Sequence, residues 1–453
     1  GFSQGGGVGL MLAQWMVEGE TERDTSAMDC SRFGRWINAD YTERKVIENY
    51  QRRFSVSYPN EELPAARPCV TSPMYKTFTS MGAVWGQQNG LEVVNYFSNA
   101  SELPLETPSF RRSNAFIPTS REVKAVRDSV GINEVHNFGK FKISGPNSRD
   151  WLNKIMAGTI PKPNRLTLNP MLSPKGRIIG DFTVTCIKDE EFQLTASYGS
   201  QEYHLRWFLL NQKNGVNIEN ISDKVNGFQI AGPNSRKLLQ KVTDFSLENF
   251  KFRDAHTILV GSIPCLVQRV SYTGDLGFEI YCSQDKQFNL WEILWSAGTE
   301  FDIKPFGMRA MMSLRLDKFF GSWLSEFSPD YTPAETGLDK FINFKKDYDF
   351  IGRSAAYSEH INGCERKLCI FEVDADDADV VGYEPISLQN KVVGFCTSGG
   401  FSHHTGKSIA FGFLPSSEIN ESTEVQIEIM GRQKIAKILT RPIFDSDNSK
   451  MRN

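Results

Sequence analysis

No stretch of the 453-residue chain reaches the roughly 18 consecutive apolar residues that a membrane-crossing helix needs, so no membrane partner is expected. Cysteine supplies no framework. The eight cysteines are scattered and include no C-x-x-C pair. Several lie in apolar strand-like runs, Cys265 in SIPCLVQRV and Cys282 in FEIYC. That pattern fits buried thiols in a reducing compartment, cytoplasm or mitochondrial matrix. Histidine is scarce: the six residues are dispersed, and the one adjacent pair, His403-His404, reads as a polar loop, so no metal centre is expected. Neither sign of charge dominates, with a formal net charge of −3 and a pI near 6.2, which argues against nucleic acid as a main partner. A start methionine and a strand ahead of the opening glycines are also lacking. A truncated N-terminus is therefore expected, and no targeting peptide can be read.

What is present describes a folded, multidomain chain. Hydrophobic residues make up 40% and charged residues 23%, and this length implies roughly two to four domains. The opening GFSQGGGVGLMLAQWM reads as a glycine-rich loop running into a helix, with Leu10, Leu12, Ala13, Trp15 and Met16 on its apolar side and Gly19 at its end. Residues 31 to 100 alternate short helices, such as YTERKVIENYQRRF, with proline-punctuated loops, as in a linker subdomain. The polar stretch 95–114 makes the best boundary. Beyond it FKISGPNSRDWLNKI (141–155) returns as FQIAGPNSRKLLQKV (228–242), an offset of 87 residues. Each copy reads as strand, turn and amphipathic helix, with proline fixing the turn and Asn or Ser placed to cap the helix. The repeat implies two related α/β halves packed as one domain. Strands then come densely (RIIGDFTVTCI, EFQLTAS, HTILVGSIPCLVQRVS, FEIYC), with helices at YHLRWFLLNQ, QFNLWEILWSAGTEF and MRAMMSLRLDKFF. From about residue 365, short strands with glycine turns read as a small β-barrel-like domain.

Three stretches carry candidate chemistry. In SYTGDLGFEIYC, Tyr272 and Glu279 flank a turn that folds the chain back, so a phenol and a carboxylate can line one pocket. From spacing alone, Glu279 either faces solvent or accepts two hydrogen bonds from an amidine-like heterocycle edge. In NPMLSPKGRIIGDFTV, Lys175-Gly176 makes a hairpin-type turn and Asp181 sits alone on an apolar strand. It is either an edge charge facing water or a carboxylate serving a developing cation as base or stabiliser. In SLRLDKFFGSWLSEFSPDYTPAETGLDKF, Arg315 lies on a helix and Glu335 in a tight loop, where mutual pairing and ligand contact are equally open. The GGGVG opening lacks G-x-G-x-x-G spacing, although free amides at a helix start can face a flavin carbonyl or phosphate.

These motifs, in this order, resemble the glycine-cleavage T-protein family, and more closely its fused relatives, the dimethylglycine and sarcosine dehydrogenases. The resemblance is carried by GFSQGGGVGLMLAQWMVEG, SPMYKTFTSMGAVWG, MLSPKGRIIGDFTV, SYTGDLGFEIY, SLRLDKFFGSWLSEFSPDYTPAETGLDKF with DFIGR, and TSGGFSHHTGKSIAFGFL. It implies an α+β multidomain fold: a T-protein-like cloverleaf of two related α/β subdomains plus a C-terminal barrel, preceded by the tail of an FAD-dependent oxidoreductase domain. The implied boundaries are 1–34 for the oxidoreductase remnant, 35–100 for its central or linker subdomain, 110–355 for the folate-binding domain and 365–445 for the barrel. The implied chemistry is capture, on tetrahydrofolate, of a one-carbon unit from an N-methyl amine. An FAD domain, in cis or in trans, would oxidise that amine and pass electrons to an acceptor. Tyr272 and Glu279 match the family's pterin contacts, and Asp181 matches the second residue of its acidic pair. Glu335 and Arg315 are added as folate-site candidates, and Gly5, Gly6 and Gly7 match the loop approaching FAD. Two positions depart from the T-protein pattern: Gly180 replaces the first acid, and Met311 replaces an arginine. A non-catalytic folate binder and a folate-dependent demethylase or aminomethyltransferase remain alternatives.

Overall fold

The duplicated segment sets the architecture, each copy supplying an interior strand of its own sheet. The computed structural model describes residues 2–34, 36–420 and 423–452. Helices α1 (Gly5–Glu18), α2 (Ala39–Gln51) and α3 (Tyr75–Ser80) precede a hairpin of β1 (Ala83–Gln88) and β2 (Leu91–Phe97). Helix α4 (Phe116–Asp128) leads to β3 (Gly131–Glu134) and to the first copy, β4 (Phe138–Ser144) and α5 (Ser148–Ile155). Then come β5 (Arg165–Leu172), β6 (Ile178–Lys188), β7 (Glu191–Ser197), α6 (Gln201–Leu210) and β8 (Asn217–Asn220). The second copy is β9 (Val225–Ala231) with α7 (Ser235–Gln240). It is followed by β10 (Ala255–Val260), β11 (Ile263–Gln268), β12 (Gly277–Ser283), α8 (Gln287–Gly298), β13 (Lys304–Pro305) and α9 (Met308–Asp317). Short α10 (Pro333–Thr336) and α11 (Arg353–Asn362) connect to β14 (Arg366–Val373), β15 (Pro385–Leu388), β16 (Lys391–Ser402), β17 (Lys407–Pro415), β18 (Glu424–Ile429) and β19 (Arg432–Leu439).

The strands form a five-stranded sheet, order β5-β6-β7-β4-β8, and a six-stranded sheet, order β10-β11-β12-β9-β3-β13. The last six strands close into a barrel, β14-β17-β16-β15-β18-β19. Because side chains alternate across a strand, each sheet turns an apolar face outward onto its helices. Phe141 and Ile143 of β4 pack with Trp151, Leu152 and Phe208, and Phe228 and Ile230 of β9 pack with Leu239, Leu290 and Trp291. The opposite faces meet each other. Leu166 of β5 shares a small buried cluster with Leu266 of β11 and Tyr281 of β12, and around it the inner layer is polar.

Local readings held in part. Gly19 ends α1 with a left-handed backbone (φ 80) and its N–H on the Trp15 carbonyl. The opening glycines, however, belong to the helix: Gly5, Gly6 and Gly7 form its first turn instead of a loop. The apolar side of α1 stays largely open, with Leu10, Leu12, Trp15 and Met16 exposed. Both repeat turns need glycine, since Gly145 (φ 112) and Gly232 (φ 127) adopt the region that side chains disfavour. Asn147 and Asn234 stand at the caps without a side-chain capping bond. Ser235 instead donates to the Gly232 carbonyl at 2.8 Å. The hairpin β1–β2 interrupts a stretch read only as helices and loops. Asn89 (φ 47) and Gly90 (φ 87) make its turn, and Phe78, Val94 and Phe97 complete the core beneath β9. All eight cysteines are free, five of them buried.

Candidate functional site

Glu279 lies mid-strand in β12, and alternation sends Phe278 and Ile280 to the apolar core and Glu279 to the inner layer. It is 8% exposed, so the solvent-facing alternative is overturned: β12 is covered on both faces. Tyr281, on the same face, donates its phenol to Glu279 Oε2 at 2.7 Å. Among the described residues no hydrogen bond reaches Oε1. Burial pushes the carboxyl up to about 7, opposed by the Tyr281 bond and by the charge of Lys140. Its cross-strand neighbours are Gln268 and Gln229, and Gln229 in turn pairs with Asn133. The facing sheet presents Gln193 of β7, paired in register with Thr185 of β6, and Thr195 of β7, paired with Thr183. Many of these buried polar atoms find no partner among the described residues: both amide atoms of Gln268, Gln229 Oε1, Gln193 Nε2 and the hydroxyls of Thr185 and Thr195. Polar atoms left this way cost about 1–3 kcal/mol each. Such a layer is better suited to a ligand rich in donors and acceptors than to dry packing.

Asp181 occupies the inner face of β6. This strand is interior, between β5 and β7, so the edge-charge alternative is overturned as well. Burial pushes the carboxyl up to about 6, eased only by a backbone N–H. It lies within electrostatic reach of the Tyr272 phenol, which burial pushes up to about 12. Tyr272 donates to the Gly321 carbonyl at 2.6 Å and stacks on Phe320. Its turn is pinned from below, because Asp275 pairs with Arg127, which also holds Asp317 at 2.8 Å. The structure therefore groups Tyr272 with Asp181 and Glu279 with Tyr281 and Lys140. No direct contact joins Tyr272 to Glu279 among the described residues. Gly180 projects the opposite way. A side chain there would meet the Phe182 ring at 2.5 Å and His204 Nε2 at 3.1 Å, so the place of the missing acid is filled.

Arg315 and Glu335 do not pair with each other. Arg315 is fully buried and bonds Glu326 Oε2 (3.1 Å), the Phe320 carbonyl (2.9 Å) and Ser398 Oγ (2.8 Å), tying α9 to the barrel strand β16. Glu335 closes a capping box with Thr332 and accepts from Arg366 Nε at 2.7 Å. Each thus spends its charge on protein groups. Gly5, Gly6 and Gly7 have nothing within 4 Å of where a Cβ would stand, which leaves room for another group to approach this turn closely. Sequence reading missed Lys140, Tyr281 and the inner glutamines. Lys140 was the readable one, a cation alternating with Phe141 and Ile143 in FGKFKIS, as Lys142 also does.

A family model described as "GCVT N-terminal domain" matches residues 74–346, more than half of the chain. The chain belongs to the glycine cleavage T-protein family. A "Glycine cleavage T-protein C-terminal barrel domain" matches 366–445, and an "FAD dependent oxidoreductase central domain" matches 18–72. Mitochondrial dimethylglycine dehydrogenase of Mus musculus is 36% identical over all of this chain and 53% of that protein. The formaldehyde-forming 4-methylaminobutanoate oxidase of Paenarthrobacter nicotinovorans is 26% identical over 98% of this chain and 55% of that protein. An aminomethyltransferase of Thermoanaerobacter sp. (strain X514) is 30% identical over 73% of this chain and 90% of its own length. The chain thus spans about half the length of the curated dehydrogenase and oxidase relatives it matches. Glycine cleavage system aminomethyltransferase T from Bartonella henselae shares the T-protein fold, with TM-score 0.72 and 19% identity over 83% of this chain and 98% of that one.

Proposed function

We propose that this chain is the folate-dependent one-carbon-transfer part of an FAD-dependent N-methyl amine dehydrogenase of the dimethylglycine or sarcosine type. The observation that carries the reading is Glu279. Among the described residues it is a buried carboxylate with one oxygen free of protein donors, set among unpartnered amides and hydroxyls that match the donors and acceptors of a pterin. Tetrahydrofolate, when bound, supplies the nitrogens that take up the one-carbon unit as 5,10-methylene-tetrahydrofolate. Flavin would supply the oxidation of the N-methyl group, and the uncrowded turn of Gly5, Gly6 and Gly7 would be this chain's contact for it. Glu279 Oε1 would accept the heterocycle's N–H groups. Tyr272, fixed by Gly321 and Phe320, would orient it, while Arg315 and Glu335 would hold the surrounding loops in place. Asp181, largely ionised near neutral pH, would take a proton from the attacking nitrogen and stabilise the iminium cation. An enclosed layer would also keep water from hydrolysing that cation to formaldehyde.

The same reading takes an N-methyl amine as substrate, a flavin domain in cis or in trans, an electron acceptor, and the mitochondrial matrix or an equivalent compartment. A binding-only role draws on Gly180, but Asp181 favours transfer. Calorimetric titration with tetrahydrofolate tests the site. Glu279→Ala is expected to weaken binding by about 1–3 kcal/mol. Undiminished affinity in the variant, or no binding by folded wild-type chain, would reject the assignment.

A further inference from the structure

The inner layer holds a second charged side chain that one-carbon capture does not use. Lys140 of β4 is fully buried. Its Nζ donates to the carbonyls of Phe138 (3.0 Å) and His136 (3.3 Å), which satisfy two of its three N–H groups and neutralise none of its charge. Across the ladder its partner is Thr195, which lies beside the Tyr281 phenol, and Tyr281 donates to Glu279. A cation on one sheet thus stands behind the carboxylate of the other, with Thr195 and Tyr281 between them. Burial pulls the Lys140 ammonium down to about 7, and Asp223, Glu134 and Glu279 favour its charged form. Glu134 accepts from Gln287 (2.5 Å), and His136 Nδ1 lies 3.2 Å from its other oxygen without a hydrogen bond. His136 Nε2 meets the Glu92 carbonyl at 2.8 Å. After the Tyr281 hydrogen bond, the Lys140 charge favours the ionised form of Glu279.

We propose that Lys140 is a positioning residue for the folate site, its ammonium keeping Glu279 as the carboxylate that accepts a heterocycle's N–H groups. A protonated carboxyl would set its own donor against those N–H groups. The inference rests on Glu279 being the heterocycle contact.

The test is calorimetric titration of the full chain with tetrahydrofolate from about pH 5 to about pH 9, a window that brackets carboxyl ionisation here. Wild-type affinity is expected to rise with pH as Glu279 ionises. In Lys140→Met the midpoint should move upward by about one pH unit, with affinity converging on wild type at the alkaline end. An unmoved midpoint, or an equal loss at every pH, would make Lys140 merely structural and overturn the proposal. Wild-type protein gives a second reading that needs no variant. Titrations at about pH 6, where the Lys140 ammonium is charged, in buffers of differing ionisation enthalpy should register less than about half a proton released per folate bound if that charge favours the carboxylate. Release of a full proton there would mean that Glu279 is protonated beside a charged Lys140, and would overturn the proposal. Failure of folded wild-type chain to bind would reject the folate reading and this inference with it, whereas binding with an unshifted profile in Lys140→Met rejects only the role of Lys140.

Discussion

Replacing Asp181 by asparagine separates what this side chain costs the fold from what it does for chemistry. Burial pushes the carboxyl up from 3.8 to about 6. Between roughly pH 4 and pH 6 the folded chain therefore holds a proton that the unfolded chain has released. The stability this group contributes is fully present below about pH 4 and is lost as pH rises through about 6. A displacement of that size corresponds to about 3 kcal/mol at neutral pH, an upper figure because Asp181 keeps partial contact with solvent. Asparagine preserves the shape and removes the charge. At about pH 7.5 the ligand-free variant should be the more stable protein by up to about 3 kcal/mol, and the gap should close near pH 4. Urea unfolding at both pH values reads the difference, taken on the transition of the two-sheet module because a multidomain chain has no single unfolding free energy. The same variant should lose folate-dependent one-carbon capture while its tetrahydrofolate affinity stays within several-fold of wild type. A variant less stable at pH 7.5, or a gap that persists in acid, refutes the electrostatic argument. An unchanged methylene-folate yield removes Asp181 from the chemistry.

Gly180→Asp, which restores the paired acid, is expected to lower stability by about 1–3 kcal/mol by overpacking against Phe182 and His204, without raising transfer. A thermal melt equal to wild type would contradict this. Arg315→Met leaves Glu326 buried without its cation and should cost about 3–5 kcal/mol, seen as a lowered melting transition. An unaffected melt would show that Thr397, Ser398 and the Ser322 amide, which also bond Glu326, suffice.

The elements legible in the sequence were those with strong periodicity. The repeat, the strands β6 and β7 and the barrel strands all carry runs in which burial follows the residue pattern. The hairpin β1–β2 was missed despite the Asn89-Gly90 turn signal, because QQNGLEVVNYF lacks the polar alternation of a surface hairpin, β2 being buried throughout. The face occupied by Glu279 was not legible. A period of two says that 279 opposes 278 and 280, and only tertiary packing decides whether the other face meets water or a second sheet. Partner choice was likewise closed to the sequence. Arg315 sits 20 positions before Glu335, but folding gives it Glu326, 11 positions on, and hands Glu335 to Arg366.

The twofold repeat also bears on how such a site can change over generations. In both copies the outward positions hold the same kinds of residue, Phe141 and Phe228, Ile143 and Ile230, Leu152 and Leu239, because each must fill a closed core. The inward positions have drifted apart: Lys140 corresponds to Gly227, and Lys142 to Gln229. A duplicated scaffold of this kind keeps half of its side chains under strict steric control and leaves the other half free to vary. Two inherited copies of one surface can then become unlike walls, one bearing Lys140 and Asp181 and the other Glu279, without disturbing the frame that holds them.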